Sequence, residues 1–331
     1  MVRATGVGSH PGDDQHAYDE AVRLVLGELP DLAYVPEVPG RGAGASMTGR
    51  GVAVMAGLAA DLQPAGWRLT DAPGIDHRRA RSLLAQDLDG FEEQAQGYTG
   101  TVKVQVAGPW TLAATVERPR GDKVLADSGA RRELAQALAE GLRDHVADLR
   151  RRVPGAAGLV VQVDEPALAA VLAAAIPTAS GFGRHRAVHP PEASQALEWV
   201  LEAVMESGAE AWVHSCAAGT PLGLLRGAGA RGLSVDHARL TARDHDELGS
   251  ALDDGETVVL GIVPSTDTSP APTDGEVTES VVRWLDMLGM DPGEVGDRVV
   301  ITPSCGLAGA SPGWAKQSLT VLRTAADHLS G

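Results

Sequence analysis

The chain is expected to fold as an α/β protein, a (β/α)8 TIM barrel, on three observations. Eight short apolar runs alternate with helical patterns. The 331 residues suit one large barrel better than one small domain. The runs are continuously apolar, as strands buried on both faces must be. They fall at 5–9, 32–37, 102–107, 158–164, 211–216, 232–236, 257–263 and 299–302. Between them helical periodicity covers 15–29, 130–151, 192–207, 244–253, 275–288 and 312–328. Two segments exceed a minimal barrel. Residues 63–100 carry an extra helix over 77–96 before the third strand, and 175–191 form a loop rich in Gly, His and Arg beyond the fourth. Both are placed to act as lids. No linker divides the chain, so 1–331 is expected to form a single catalytic domain.

Composition narrows the function. Hydrophobic residues make up 44% and aromatic residues only 3%, so the core is to be built from Val, Leu, Ile and Ala. The net charge of −16, from 28 basic and 44 acidic side chains, repels phosphates and anionic lipid, which argues against nucleic-acid and membrane partners. Only Lys103, Lys123 and Lys316 could serve Schiff-base chemistry, and Lys103 is expected at the start of a strand, away from the catalytic end. No run of 18 apolar residues is present to span a bilayer, and the N-terminus has no signal-peptide core. Cys216 and Cys305 are the only cysteines and make no disulfide framework, so the expected compartment is the cytoplasm.

In such a barrel the active site lies at the C-terminal ends of the strands. Read in order, those ends are Gly8-Ser9-His10, Pro36-Glu37-Val38-Pro39, Gly108-Pro109-Trp110-Thr111, Asp164-Glu165-Pro166, His214-Ser215-Cys216, Asp236-His237, Pro264-Ser265-Thr266 and Ser304-Cys305-Gly306. Polar and metal-binding types crowd that rim. His214 and Cys216 are two apart, so on a strand both face the same side. Closing the barrel brings Cys305 and Asp236 to the same rim. One imidazole, two thiolates and one carboxylate make a zinc site with an exchangeable position for substrate. The alternative, two cysteines buried as small hydrophobes, leaves their convergence unexplained.

Other strand ends carry candidates of their own. Asp164 or Glu165 could bind a substrate ammonium or act as a base, or could cap the helix that follows. Ser9 and its neighbouring amides could hold a carboxylate, or Ser9 could be an ordinary cap. Arg41, in Pro39-Gly40-Arg41-Gly42, could reach an anionic substrate or sit on a surface turn. His185 and His189 have a metal-like spacing, but on a glycine-rich loop.

Together these motifs resemble the catalytic C-terminal barrel of the cobalamin-independent methionine synthase family. Gly8-Ser9, Gly108-Pro109-x-Thr111, Gln162-Val163-Asp164-Glu165-Pro166-Ala167-Leu168, His214-x-Cys216 and Cys305-Gly306-Leu307 occur in the family's order over essentially the whole chain. The resemblance implies zinc bound by His214, Cys216, Cys305 and a strand-six carboxylate, with Asp236 standing where the family has Glu. It implies homocysteine as acceptor, its amino group on Asp164 and Glu37 and its carboxylate on Ser9. The wider superfamily includes corrinoid-dependent methyltransferases and uroporphyrinogen decarboxylases.

The departures concern the methyl donor. The family's N-terminal barrel has no counterpart here, its Trp-Ser is Ala113-Ala114-Thr115, and its strand-seven Ile-His-Ser is Ile262-Val263-Pro264-Ser265. The expected function is zinc-dependent methylation of a thiol, most simply homocysteine. The donor is either a corrinoid or a methyl-folate, and the missing acid favours the corrinoid. His185 or His189 is the only substitute acid in view. The rivals are a corrinoid-protein-dependent methyltransferase acting on another thiol, and a non-catalytic zinc-binding barrel.

Overall fold

The computed structural model describes residues 1–331. Eight parallel strands form one sheet: β1 (Arg3–Ala4), β2 (Leu32–Tyr34), β5 (Thr101–Ala107), β6 (Gly158–Asp164), β7 (Glu210–Ser215), β8 (Gly232–Asp236), β9 (Thr257–Val263) and β10 (Val299–Pro303). They follow one another around the sheet, with β10 beside β1, as a (β/α)8 barrel requires. The seam between β1 and β2 lies above the regular strands, where Ser9 and Glu37 form a parallel bridge and Glu37 N donates to Gly8 O at 3.0 Å. The first strand is thus two residues long where 5–9 was expected, but the chain beyond it still runs along the barrel wall.

Around the sheet lie α1 (Gln15–Glu28), α2 (Met47–Val54), α3 (Ile75–Gln94), α4 (Pro109–Thr115), α5 (Ser128–Arg152), α6 (Leu168–Leu172), α7 (Pro190–Glu206), α8 (Leu222–Gly227), α9 (Ala242–Asp253), α10 (Asp274–Leu288), α11 (Pro292–Val295) and α12 (Pro312–Ser330). Several starts are fixed by side-chain caps. Thr241 with Asp244, and Thr273 with Glu276, form reciprocal capping boxes on α9 and α10. The extra segment carries α3 as expected. It also completes an antiparallel hairpin of β3 (Ala59–Gln63) and β4 (Gly66–Thr70) that periodicity did not indicate. No helix is long and apolar enough to cross a membrane.

The apolar core lies mainly between the sheet and the helices, with Val, Leu and Ala dominating. Inside the barrel a small separate plug of Leu32, Val160, Trp212, Val259 and Val300 fills one level. The side-chain alternation of strands then puts Gln162 and Asp164 on the same side as Val160, and His214 on the same side as Trp212. These polar groups occupy the levels nearer the C-terminal rim. The barrel interior therefore changes from hydrocarbon to hydrogen-bonding groups toward its catalytic end.

A candidate active site at the C-terminal rim

Six of the eight side chains singled out from the sequence line one cavity of about 170 Å³: Ser9, Glu37, Asp164, His214, Cys216 and Cys305. They come from five strand ends, so only barrel closure can gather them. The register of β6 on β7 sets Asp164 beside His214. Leu307 N donates to Ser9 O at 2.9 Å, tying the Cys305-Gly306 turn to the first strand's end. A Cβ at Gly306 would collide with Ser9 Oγ, so a larger residue there would turn the Ser9 hydroxyl away.

The ligand atoms of His214, Cys216 and Cys305 all lie within 4.8 Å of one another. Ligand atoms around a tetrahedral zinc are about 3.5 Å apart, so small side-chain movements suffice. His214 Nδ1 is hydrogen-bonded to Ser234 Oγ at 2.9 Å, while its buried Nε2 has no partner. That is the condition of a metal-binding imidazole: one nitrogen oriented from behind and the other free. Burial, with help from the Lys103 charge, holds His214 down to about 3, so its ring is neutral. Cys216 and Cys305, whose Cα atoms are 5.8 Å apart, are joined here as a disulfide across 89 residues. A disulfide was not expected. The convergence that assembles a metal site also puts two sulfurs in bonding reach, and metal binding needs the reduced pair.

Two predicted residues are placed elsewhere. Asp236 is outside the group of possible metal ligands. Its carboxylate accepts from Ala238 N at 3.0 Å and Arg239 Nε at 3.2 Å, capping the turn after β8, and it lines a separate small pocket with Ser215. Glu165 is fully buried and faces α4. Its two oxygens accept from Trp110 N and Thr111 N, each at 2.8 Å, and from Thr111 Oγ1 at 2.7 Å. It holds the start of α4, an earlier helix, and not the helix that follows it, which was the alternative weighed for this acidic pair. Arg41, considered for an anionic substrate, is bound to Asp87 through two hydrogen bonds of 2.8 and 2.7 Å. His185 is held by Asp122 at 3.1 Å, and His189 stands at the N-cap position of α7 without a side-chain capping bond; neither lines the cavity.

Asp164 is the carboxylate left to the cavity. Burial pushes its pKa up, and the like charge of Glu37 adds to this, while a hydrogen bond from Gln162 and the Lys103 charge oppose them. Glu37 reaches the cavity too, but pairs with buried Arg50 at 3.0 Å, which in turn holds Asp87 at 2.7 Å.

Comparison with known proteins settles the kinship. The family model described as "Cobalamin-independent synthase, Catalytic domain" matches residues 84–328. The chain belongs to the cobalamin-independent synthase family. It is therefore a methyltransferase by family. Among solved structures, a B12-independent methionine synthase from Shewanella sp. W3-18-1, in complex with selenomethionine, is 14% identical with a TM-score of 0.63, covering 100% of this chain and 98% of that one. GH5_18 from Streptomyces cattleya, in complex with GlcNAc, has a TM-score of 0.50 at 14% identity, covering 100% of this chain and 80% of that one. At such identities the likeness concerns the fold alone. No curated protein sequence matches the chain.

Roles read from the sequence fell to the rim, and none to the layer beneath it. Lys103, Gln162 and Ser234 are buried inside the barrel just below the cavity, and buried Gln105 lines its floor. Lys103, expected far from the catalytic end, reaches Val7 O at 2.9 Å and Gln162 Oε1 at 3.0 Å. The available signal was the i, i+2 spacing of Lys103 with Gln105 and of Gln162 with Asp164, polar residues on one face of otherwise apolar strands.

Proposed function

We propose that this chain methylates the thiol of homocysteine, with zinc held by His214, Cys216 and Cys305. The observation that carries it is the single cavity in which this trio stands beside Asp164 and Ser9, groups suited to the two ends of an amino acid. Three protein ligands leave the fourth position of a tetrahedral zinc to the acceptor sulfur, as in other catalytic zinc sites. Bound there, zinc would lower the thiol's pKa and present a thiolate near neutral pH.

The protein's own residues do the rest. Asp164 takes the ammonium of the acceptor, with Glu37 as a second contact held by Arg50. Ser9 takes the carboxylate. Ser234 fixes the His214 ring, so its Nε2 stays turned to the sulfur pair. The acceptor is thereby fixed at three points, which orients its sulfur for in-line attack on a methyl group. Residues 1–331 act as one catalytic barrel, with 63–100 and 175–191 as its additions.

A cavity of about 170 Å³ holds a small amino acid but not a methyl carrier as well. The donor must approach over the rim. No histidine besides His214 lines the cavity, and His185 is tied to Asp122. A folate leaving group needs a proton and a methyl-cobalt bond does not, so the cavity residues taken alone favour a corrinoid, against the cobalamin independence of the family. The test is methionine formation from homocysteine by the reduced, zinc-loaded protein, with methylcobalamin and methyl-folate compared at equal concentration. No methionine from either donor would reject the proposed function. Turnover with methyl-folate alone would reject the corrinoid.

A further inference from the structure

Lys103 is the only fully buried lysine, and it lies inside the barrel beneath the cavity. Its Nζ donates to Val7 O at 2.9 Å, Gln162 Oε1 at 3.0 Å and, at a longer 3.4 Å, Gln105 Oε1, and it stands 5.2 Å from the centre of the Tyr34 ring. Gln162 passes the contact on. Its Nε2 donates to Asp164 Oδ1 at 2.8 Å and to Val7 O at 2.9 Å. The amide is thus fixed in one orientation, oxygen to the lysine and nitrogen to the carboxylate. That is the only side-chain hydrogen bond Asp164 receives, which leaves its second oxygen to the cavity it lines.

An ammonium sealed beneath a substrate-binding carboxylate is costly, since removing a charge from water has to be compensated by partners. A lysine that only braced the strands would be as well served by hydrocarbon, like the plug one level away. We propose that Lys103 is a positioning residue for acceptor recognition: acting through Gln162, it fixes and charge-balances Asp164 so that the free carboxylate oxygen meets the acceptor's ammonium. Glu37, the other acid of the cavity, is instead paired directly by buried Arg50, which it shares with Asp87. The free oxygen of Asp164 suits an acceptor that brings an ammonium, and selects against a thiol acid without the amine.

The inference rests on Asp164 binding the ammonium. Its test is calorimetric binding of homocysteine and of 4-mercaptobutyrate, the same thiol acid without the amino group, to reduced, zinc-supplemented protein. Lys103→Met and Gln162→Met are compared with the unaltered chain, with zinc content and thermal melts measured alongside. Both variants are expected to weaken homocysteine about tenfold or more, the cost of a lost charge-assisted contact. Affinity for 4-mercaptobutyrate is expected to stay within about twofold, because Asp164 makes no contact with it. If Lys103→Met fails to fold, Gln162→Met carries the comparison. Parallel weakening of both thiols would make Lys103 a brace and overturn the inference, as would unchanged homocysteine affinity. Failure of the unaltered, zinc-bearing protein to prefer homocysteine over 4-mercaptobutyrate would instead remove Asp164 from ammonium binding.

Discussion

His10 stands at the first strand's end with its Nε2 2.5 Å from Tyr34 Oη, and it is buried. Burial pushes its pKa from 6.5 down to about 4. Between those values the unfolded chain takes up a proton that the folded protein refuses, so this group's contribution to stability is present above about pH 6.5 and is lost as pH falls toward 4. His10→Gln should flatten the decline of melting temperature over that window; an unchanged slope would place the acid sensitivity elsewhere. At the rim, Cys216→Ser and Cys305→Ser are each expected to lose most of the zinc bound by the reduced protein, while Asp236→Ala keeps most of it. Zinc analysis of the three variants decides whether Asp236 leaves Arg239 to become a ligand. The sulfur and imidazole positions were legible because strand spacing dictates their facing. The roles of Glu165 and Asp236 were not, because a carboxylate at a strand end can turn to the cavity or to the backbone amides of a neighbouring helix or turn. Only neighbours distant in sequence, such as Trp110 and Thr111 for Glu165, decide between them.

Among the elements, α2 and α3 matter most for the site. Arg50 on α2 joins Glu37 to Asp87 on α3, and Arg41 completes the group on Asp87, all of them buried. Arg50→Met leaves two buried carboxylates short of a partner, and breaking such a network typically costs about 3–5 kcal/mol. Denaturant midpoints should show a loss of that order, and acceptor binding should weaken as Glu37 is released. An effect near zero would mean that water satisfies these acids. The strands from β5 onward and the long helices were readable from apolar runs and periodicity to within one or two residues. The hairpin and α2 were not. Only Ala60 of β3 and Trp67 of β4 are buried, so neither strand shows an apolar face. Helix α2 contains Gly49, a weak helix former, kept because a Cβ there would collide with Ala43 O.

Over the whole molecule, the barrel closes at the site itself. Ser9 bridges Glu37 on one side and accepts from Leu307 on the other, so the seam of the sheet and the acceptor-binding groups share residues. Gly306→Ala forces Ser9 outward and should cost about 1–3 kcal/mol together with acceptor affinity. Gly309→Ala, whose added methyl meets only Thr266 Cγ2 at 3.7 Å, serves as the neutral control. Equal behaviour of the two variants in thermal melts would separate closure from the site.

The sealed position of Lys103 also governs how the molecule meets amine-reactive reagents. With three lysines in 331 residues, acylation has few targets: Lys316 is exposed, Lys123 partly so, and Lys103 lies inside a closed wall of strands. Its amine is covered by Val7, Gln105 and Gln162, so a reagent reaches it only when this hydrogen-bonded layer opens. In a mass spectrum, label on Lys103 would therefore count molecules in which this layer has opened, giving a clock for barrel opening already written into the chain.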